Sequence, residues 1–203
     1  MRRSTLAALL SGLALLLQAD PALAQRSTTR GLDLGLHLTG SSLTVEDDDG
    51  RDDGAGVGIH VGYGINRTVM VFLQIDGAGF MVEDGTIEGD WTMAHLDLGA
   101  RFHFANTLRR WVPYLQAALS GRSVGVSDAT VGDDTDAEVS FSGGGLSGGG
   151  GLLVYFNETF AADVQLMLTG GQFTEIQVNN VTVSGFEIDA TSSRLSLGIS
   201  WWP

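Results

Sequence analysis

The stretch that decides the fold is Ala94-His95-Leu96-Asp97-Leu98-Gly99-Ala100-Arg101-Phe102-His103-Phe104. Apolar Ala94, Leu96, Leu98, Ala100, Phe102 and Phe104 alternate with His95, Asp97, Gly99, Arg101 and His103. A period of two puts the two sets on opposite faces of a strand, and no helix has that period. The pattern recurs in Leu32 to Leu38 against Asp33, Gly35 and His37, in Val57 to Ile65, and in Val69 to Ile75. Longer strands are expected at about Trp111 to Val126, Val139 to Phe156 and Phe160 to Val178, and an eighth ends near Trp201. The count of eight predicts an all-β chain, an antiparallel up-and-down barrel.

Ahead of the first strand, Arg2 and Arg3 precede an apolar run from Leu6 to Leu17 that closes on Ala22-Leu23-Ala24. A basic start, a short apolar core and a small-x-small site describe a secretory signal peptide. The run falls short of the ~20 residues a membrane helix needs. Residues 1–24 are therefore expected to be cleaved, leaving 25–203 as the barrel domain.

Composition narrows the function. The chain of 203 residues has 24 acids against 11 basic residues, all arginine, and a net charge of −13. Such a chain is a poor binder of phosphate backbones, so nucleic acid is not an expected partner. It has no cysteine, so the fold rests on backbone pairing and packing.

Connections alternate in kind. Asn66-Arg67, Ala105 to Arg110 and Asn157-Glu158-Thr159 are short, whereas Val45 to Gly54, Val82 to Asp90 and Ser127 to Glu138 are longer and acidic. Short turns at one end and longer loops at the other fit a transmembrane barrel of the outer-membrane type. Asn179-Asn180 suits a tight hairpin turn, because asparagine tolerates positive φ, and that last hairpin would project beyond the membrane.

A soluble barrel is apolar inside and a membrane barrel is apolar outside, so the placement of charge must separate them. The polar faces carry Asp33, His37, His60, Asp76, His95, Asp97, Arg101, His103, Arg122, Asp163 and Arg194, set among glycine, serine and alanine. This nearly balanced set predicts an interior network of mutually satisfied Asp/Arg pairs and histidines in a plugged lumen. Tyr63, Phe102, Phe104, Trp111, Tyr114, Tyr155, Phe156, Phe160, Trp201 and Trp202 fall at the short-turn end, while Phe80, Trp91, Phe141, Phe173 and Phe186 fall toward the long loops. Two aromatic girdles at two membrane interfaces are the expectation, with Tyr63, Phe102, Phe104, Trp111, Tyr155, Phe160 and Trp201 as interface residues.

Pro113 to Ala117, the glycine-rich run into Leu152-Leu153-Val154-Tyr155-Phe156, the segment Asn157 to Leu168 and the alternating C-terminal strand together resemble the small outer-membrane β-barrel domain family. That family includes the transmembrane domain of outer-membrane protein A and outer-membrane protein X. The resemblance implies residence in the outer membrane of a Gram-negative bacterium, with outer-membrane lipid and lipopolysaccharide as partners. Ser196-x-Gly198-x-x-Trp201 resembles the signal read by the barrel-assembly machinery, although here the last residue is Pro203. No peptidoglycan-binding domain is expected after the eighth strand.

Eighteen of the 24 acids lie in or beside the long connections. Asp47, Asp48, Asp49, Asp52 and Asp53 are candidate contacts for a hard divalent cation, set against the plainer reading of a solvated loop. They lack the full spacing and closing glutamate of a calcium loop. Lipid A deacylases and phospholipases among outer-membrane barrels use a His-x-Ser pair, and none of the four histidines here begins one. No catalytic residue and no cofactor are therefore expected. The function expected is structural or surface-interacting, through acidic loops and an extracellular partner of unknown identity. The alternatives are a small hydrophobic-solute channel resembling outer-membrane protein W and a lipid A-modifying enzyme.

Overall fold

Period-two alternation becomes eight strands in the computed structural model, which describes residues 29–45, 52–80, 90–104, 110–131, 134–178 and 181–203. The strands are β1 (Gly31–Val45), β2 (Asp52–Gly64), β3 (Val69–Phe80), β4 (Asp90–His103), β5 (Trp111–Val131), β6 (Asp134–Tyr155), β7 (Phe160–Val178) and β8 (Val181–Trp201). Each pairs antiparallel with the next, and β1 closes on β8 from Leu34↔Trp201 to Val45↔Ala190. The result is a closed eight-stranded antiparallel barrel. Closure removes the free strand edges that an open sheet would expose.

Two of the short turns share one device. Asn66 Oδ1 accepts from the backbone N–H groups of Thr68 and Val69, and Asn157 Oδ1 accepts from those of Thr159 and Phe160. An asparagine side chain that replaces missing backbone partners fixes a tight reversal, which is why these turns need so few residues.

At the opposite end the strands run further than the sequence suggests. The expected long loop from Ser127 to Glu138 is instead mostly ladder, with β5 and β6 paired through Ala129↔Ala137 to Val131↔Asp134. Its register shifts between Val126 and Thr130, which explains why the alternation could not be followed there. β7 and β8 pair as far as Val178↔Val181, well past the point where β1 leaves β8. Gly185, at φ +100°, sits beside the shift between Phe173 and Glu175, where a bulge increases local twist. Two hairpins thus stand above the rim formed by β1 to β4. The expected signal peptide and Asn179-Asn180 lie outside the described residues.

The faces are inverted relative to a soluble barrel. Leu36, Leu38, Leu98 and Leu119 point outward at 63%, 66%, 60% and 65% exposure, whereas Asp33, Asp97 and Arg101 point inward at 0%. No helix among the described residues is long and apolar enough to cross a membrane; crossing by strands is the alternative. Inside, three layers follow the axis. Val112, Tyr114, Leu153, Tyr155, Ala161 and Trp202 fill the turn end, a charged belt crosses the middle, and Leu43, Met93, Val124, Phe173 and Ala190 fill the loop end.

Candidate functional site

The inward faces of β1 and of β3, β4, β5, β6, β7 and β8 bring polar residues far apart in sequence to one level of the lumen. At its centre Arg194 Nη1, from β8, lies 2.5 Å from Asp76 Oδ2 on β3 and 2.6 Å from Asp97 Oδ2 on β4. Asp76 is also met by His37 Nε2 at 2.5 Å and accepts from Gln74 Nε2 at 2.9 Å. Asp97 accepts from Ser120 and from Ser147, and Ser147 lies 2.7 Å from Thr169 Oγ1, which in turn accepts from Arg194 Nη2.

A second cluster lies closer to the turn end. Arg101, fully buried, donates through Nη1 to Asp163 Oδ2 at 3.3 Å, through Nε to Gln116 and through Nη2 to Gln165. Tyr114 donates its hydroxyl to Asp163 Oδ1 at 2.6 Å, and its ring lies 4.0 Å beneath the Arg101 guanidinium. Beside it Asp33 Oδ2 is 2.9 Å from His60 Nε2, and the His60 and His37 rings stack at 6.1 Å. These rings have room because Gly35 and Gly58 face them. A Cβ at Gly35 would overlap the His60 ring, and one at Gly58 would overlap both His37 and Asp76.

The belt is thus built of four carboxylates and three guanidiniums, two of which answer carboxylates directly. Charges withdrawn from water persist only when paired and hydrogen-bonded, and these bonds run across the lumen rather than along its wall. The third arginine, Arg122, donates Nη2 to the Ala190 carbonyl instead. His95 is 3.0 Å from Ser192, so His95 and Asp97 do not act on one another despite sharing a strand face.

Chemically the belt supports charge compensation. His60 meets both Asp33 and Ser200 through the same Nε2, whereas a carboxylate–imidazole–hydroxyl relay needs the two on opposite ring nitrogens. Asp52 and Asp53 are neighbours in β2 and so project to opposite faces, which prevents them from chelating one cation together. Asp47, Asp48 and Asp49 lie outside the described residues. Among the described residues no group of three His, Cys, Asp or Glu is placed to hold a metal ion.

The aromatics divide differently from the expectation. Tyr63, Phe102, Phe104, Trp111, Phe160 and Trp201 face outward at the turn end, with Phe160 stacked on Trp201 at 6.0 Å. Tyr155 does not join them: it is fully buried in the lumen, 5.4 Å from the Trp202 ring. Tyr114 and Trp202 are inward too. At the loop end Phe173 is buried, and Phe80, Trp91 and Phe141 pack against the luminal cluster, so these residues form no lipid-facing girdle. Of the belt residues, sequence reasoning passed over Gln74, Tyr114, Gln116, Ser147, Gln165 and Thr169. Their parity with Asp76, Arg122 or Asp163 on their own strands was the available signal, or in β6 the parity that alternates with Leu146.

Comparison with known proteins agrees with this geometry. The family model described as outer membrane protein beta-barrel domain matches residues 5–198. No curated protein matches the sequence. Neisserial surface protein A superposes with a TM-score of 0.62 at 17% identity, covering 84% of this chain and 96% of that one. The outer membrane protein OprG of Pseudomonas aeruginosa gives 0.58 at 13%, covering 88% and 98%. Ail, the attachment invasion locus protein of Yersinia pestis, gives 0.54 at 15%, covering 85% and 100%.

Proposed function

The chain belongs to the outer membrane protein β-barrel domain family, whose members reside in the bacterial outer membrane, and from that premise we propose that it is a closed, non-catalytic barrel that holds two acidic hairpins at the cell surface as an interaction platform. The observation that carries this reading is the Arg194 hub, which ties β8 to β3 and β4 straight across the lumen. A pore would need that space to hold water. The hairpins supply the surface: Asp128, Asp134, Asp136 and Glu138 lie on β5–β6, and Glu175, Glu187 and Asp189 on β7–β8.

The same reading includes export by a signal peptide cleaved after Ala24, insertion by the barrel-assembly machinery, and contact of the leucine-rich outer face with outer-membrane lipid and lipopolysaccharide. Planar-bilayer recording of the purified barrel tests it. The expected trace stays at the lipid baseline, and discrete conductance steps would overturn the closed lumen in favour of a solute channel. A lipid A mass spectrum that changes on deletion of the gene would overturn the non-catalytic part.

A further inference from the structure

Arg122 is the one arginine of the belt with no described salt bridge. It is 3% exposed, and its Nε and Nη1 have no hydrogen-bond partner. Nη2 donates to the Ala190 carbonyl at 2.9 Å, and the guanidinium lies 4.6 Å from the Phe173 ring centroid. Ala190 and Phe173 both belong to the apolar cluster at the loop end, so the cation faces into that cluster. A second donor, Trp91 Nε1, is buried there without a partner. Asp189, next to Ala190 on β8, points to the outer face and acts on Arg122 as a through-space charge without a described hydrogen bond to it.

Buried donors left unmatched destabilise a fold, and more so when they are charged. Two such groups at one packed apolar cluster are therefore a liability unless an acceptor arrives. The acceptor must be anionic to suit a guanidinium, and the body attached to it must be apolar to lie against Leu43, Met93, Val124 and Phe173. Met93 is long, unbranched and readily repacked, which allows a chain to take its place.

We propose that the loop end of the lumen binds a single-chain anionic amphiphile, with its carboxylate on Arg122 and its alkyl chain among Met93, Val124 and Phe173. The charged belt closes the lumen below this cluster, so the ligand would enter from the loop end by displacing Met93. This inference uses the closed lumen but not the acidic hairpins.

The test is direct binding to the mature barrel in neutral detergent, with palmitate, hexadecanol and butyrate compared by displacement of a fluorescent fatty acid. A charge-assisted contact predicts palmitate binding at least about tenfold more tightly than hexadecanol. Butyrate, which has the head but not the chain, is expected to fall at least about tenfold below palmitate as well. Arg122→Gln should bring palmitate down to the hexadecanol level and leave hexadecanol unchanged. Equal affinity for palmitate and hexadecanol in the unmodified protein overturns the proposal, and so does butyrate matching palmitate. A diazirine-bearing palmitate should label the β4 and β7 peptides at Met93 and Phe173. Labelling confined to outward residues such as Leu98 and Leu119 would identify ordinary partition into the detergent and refute the site without any mutation.

Discussion

At the turn end large rings look in two directions: Phe102, Phe104, Trp111, Phe160 and Trp201 outward, Tyr114, Tyr155 and Trp202 inward. At the loop end those described look only inward, and the outward positions at that level include Gly40, Ala55, Gly77, Ala94, Gly121 and Gly144. Amphipathic rings settle at a membrane–water boundary, so one boundary is marked by side chains and the other is not. The contrast teaches that height along a strand and direction across it are separate facts. The two ends share a fold while placing their apolar volume on opposite sides of the wall.

The belt that separates the two ends should give the largest response. Arg194→Ala strands Asp76 and Asp97 without their cation and should destabilise the barrel by about 3–5 kcal/mol. Urea unfolding in lipid vesicles would show it, and an unshifted midpoint would mean that the layers are not divided as described. Next comes a pair of adjacent residues with opposite directions. Trp202→Ala opens a cavity in the floor and should cost about 3–5 kcal/mol, while Trp201→Ala loses mainly a ring stack worth roughly 0.5–1.5 kcal/mol. Similar losses for both would break the in/out distinction.

Smaller effects map the lipid-facing band itself. Leu98→Arg, at the middle of the outward leucines, should cost about 2–4 kcal/mol, against roughly 0–1 kcal/mol for Ser193→Arg nearer the loop end. The smallest signal is spectroscopic. In single-tryptophan variants, lipids brominated on their acyl chains should quench Trp201 and leave Trp91 bright; quenching of both would place a second girdle outside after all.

Much of this was legible because inward charged residues on six of the eight strands fix parity for the rest. Asp33, Asp76, Asp97, Arg101 and Arg194 are inward as their alternation requires. The same parity would have turned Phe80 inward with Asp76 and Trp91 inward with His95, had direction been weighed before height. Tyr155 was harder, since Leu152-Leu153-Val154-Tyr155-Phe156 is apolar on both faces and alternation carries no signal there. The partners of each belt residue were not legible at all. Arg194 finds Asp76 and Asp97 only through the closure of the barrel, which sequence spacing does not encode.

That closure has a consequence for how the molecule is made. Arg194 rides on the last strand, while the acids it neutralises ride on the third and fourth. A chain with only seven strands laid down would hold two anions without their arginine on its hollow side and an unzipped seam at β1. Zipping the seam and cancelling the charge are one event, so a half-built barrel is disfavoured by its own electrostatics.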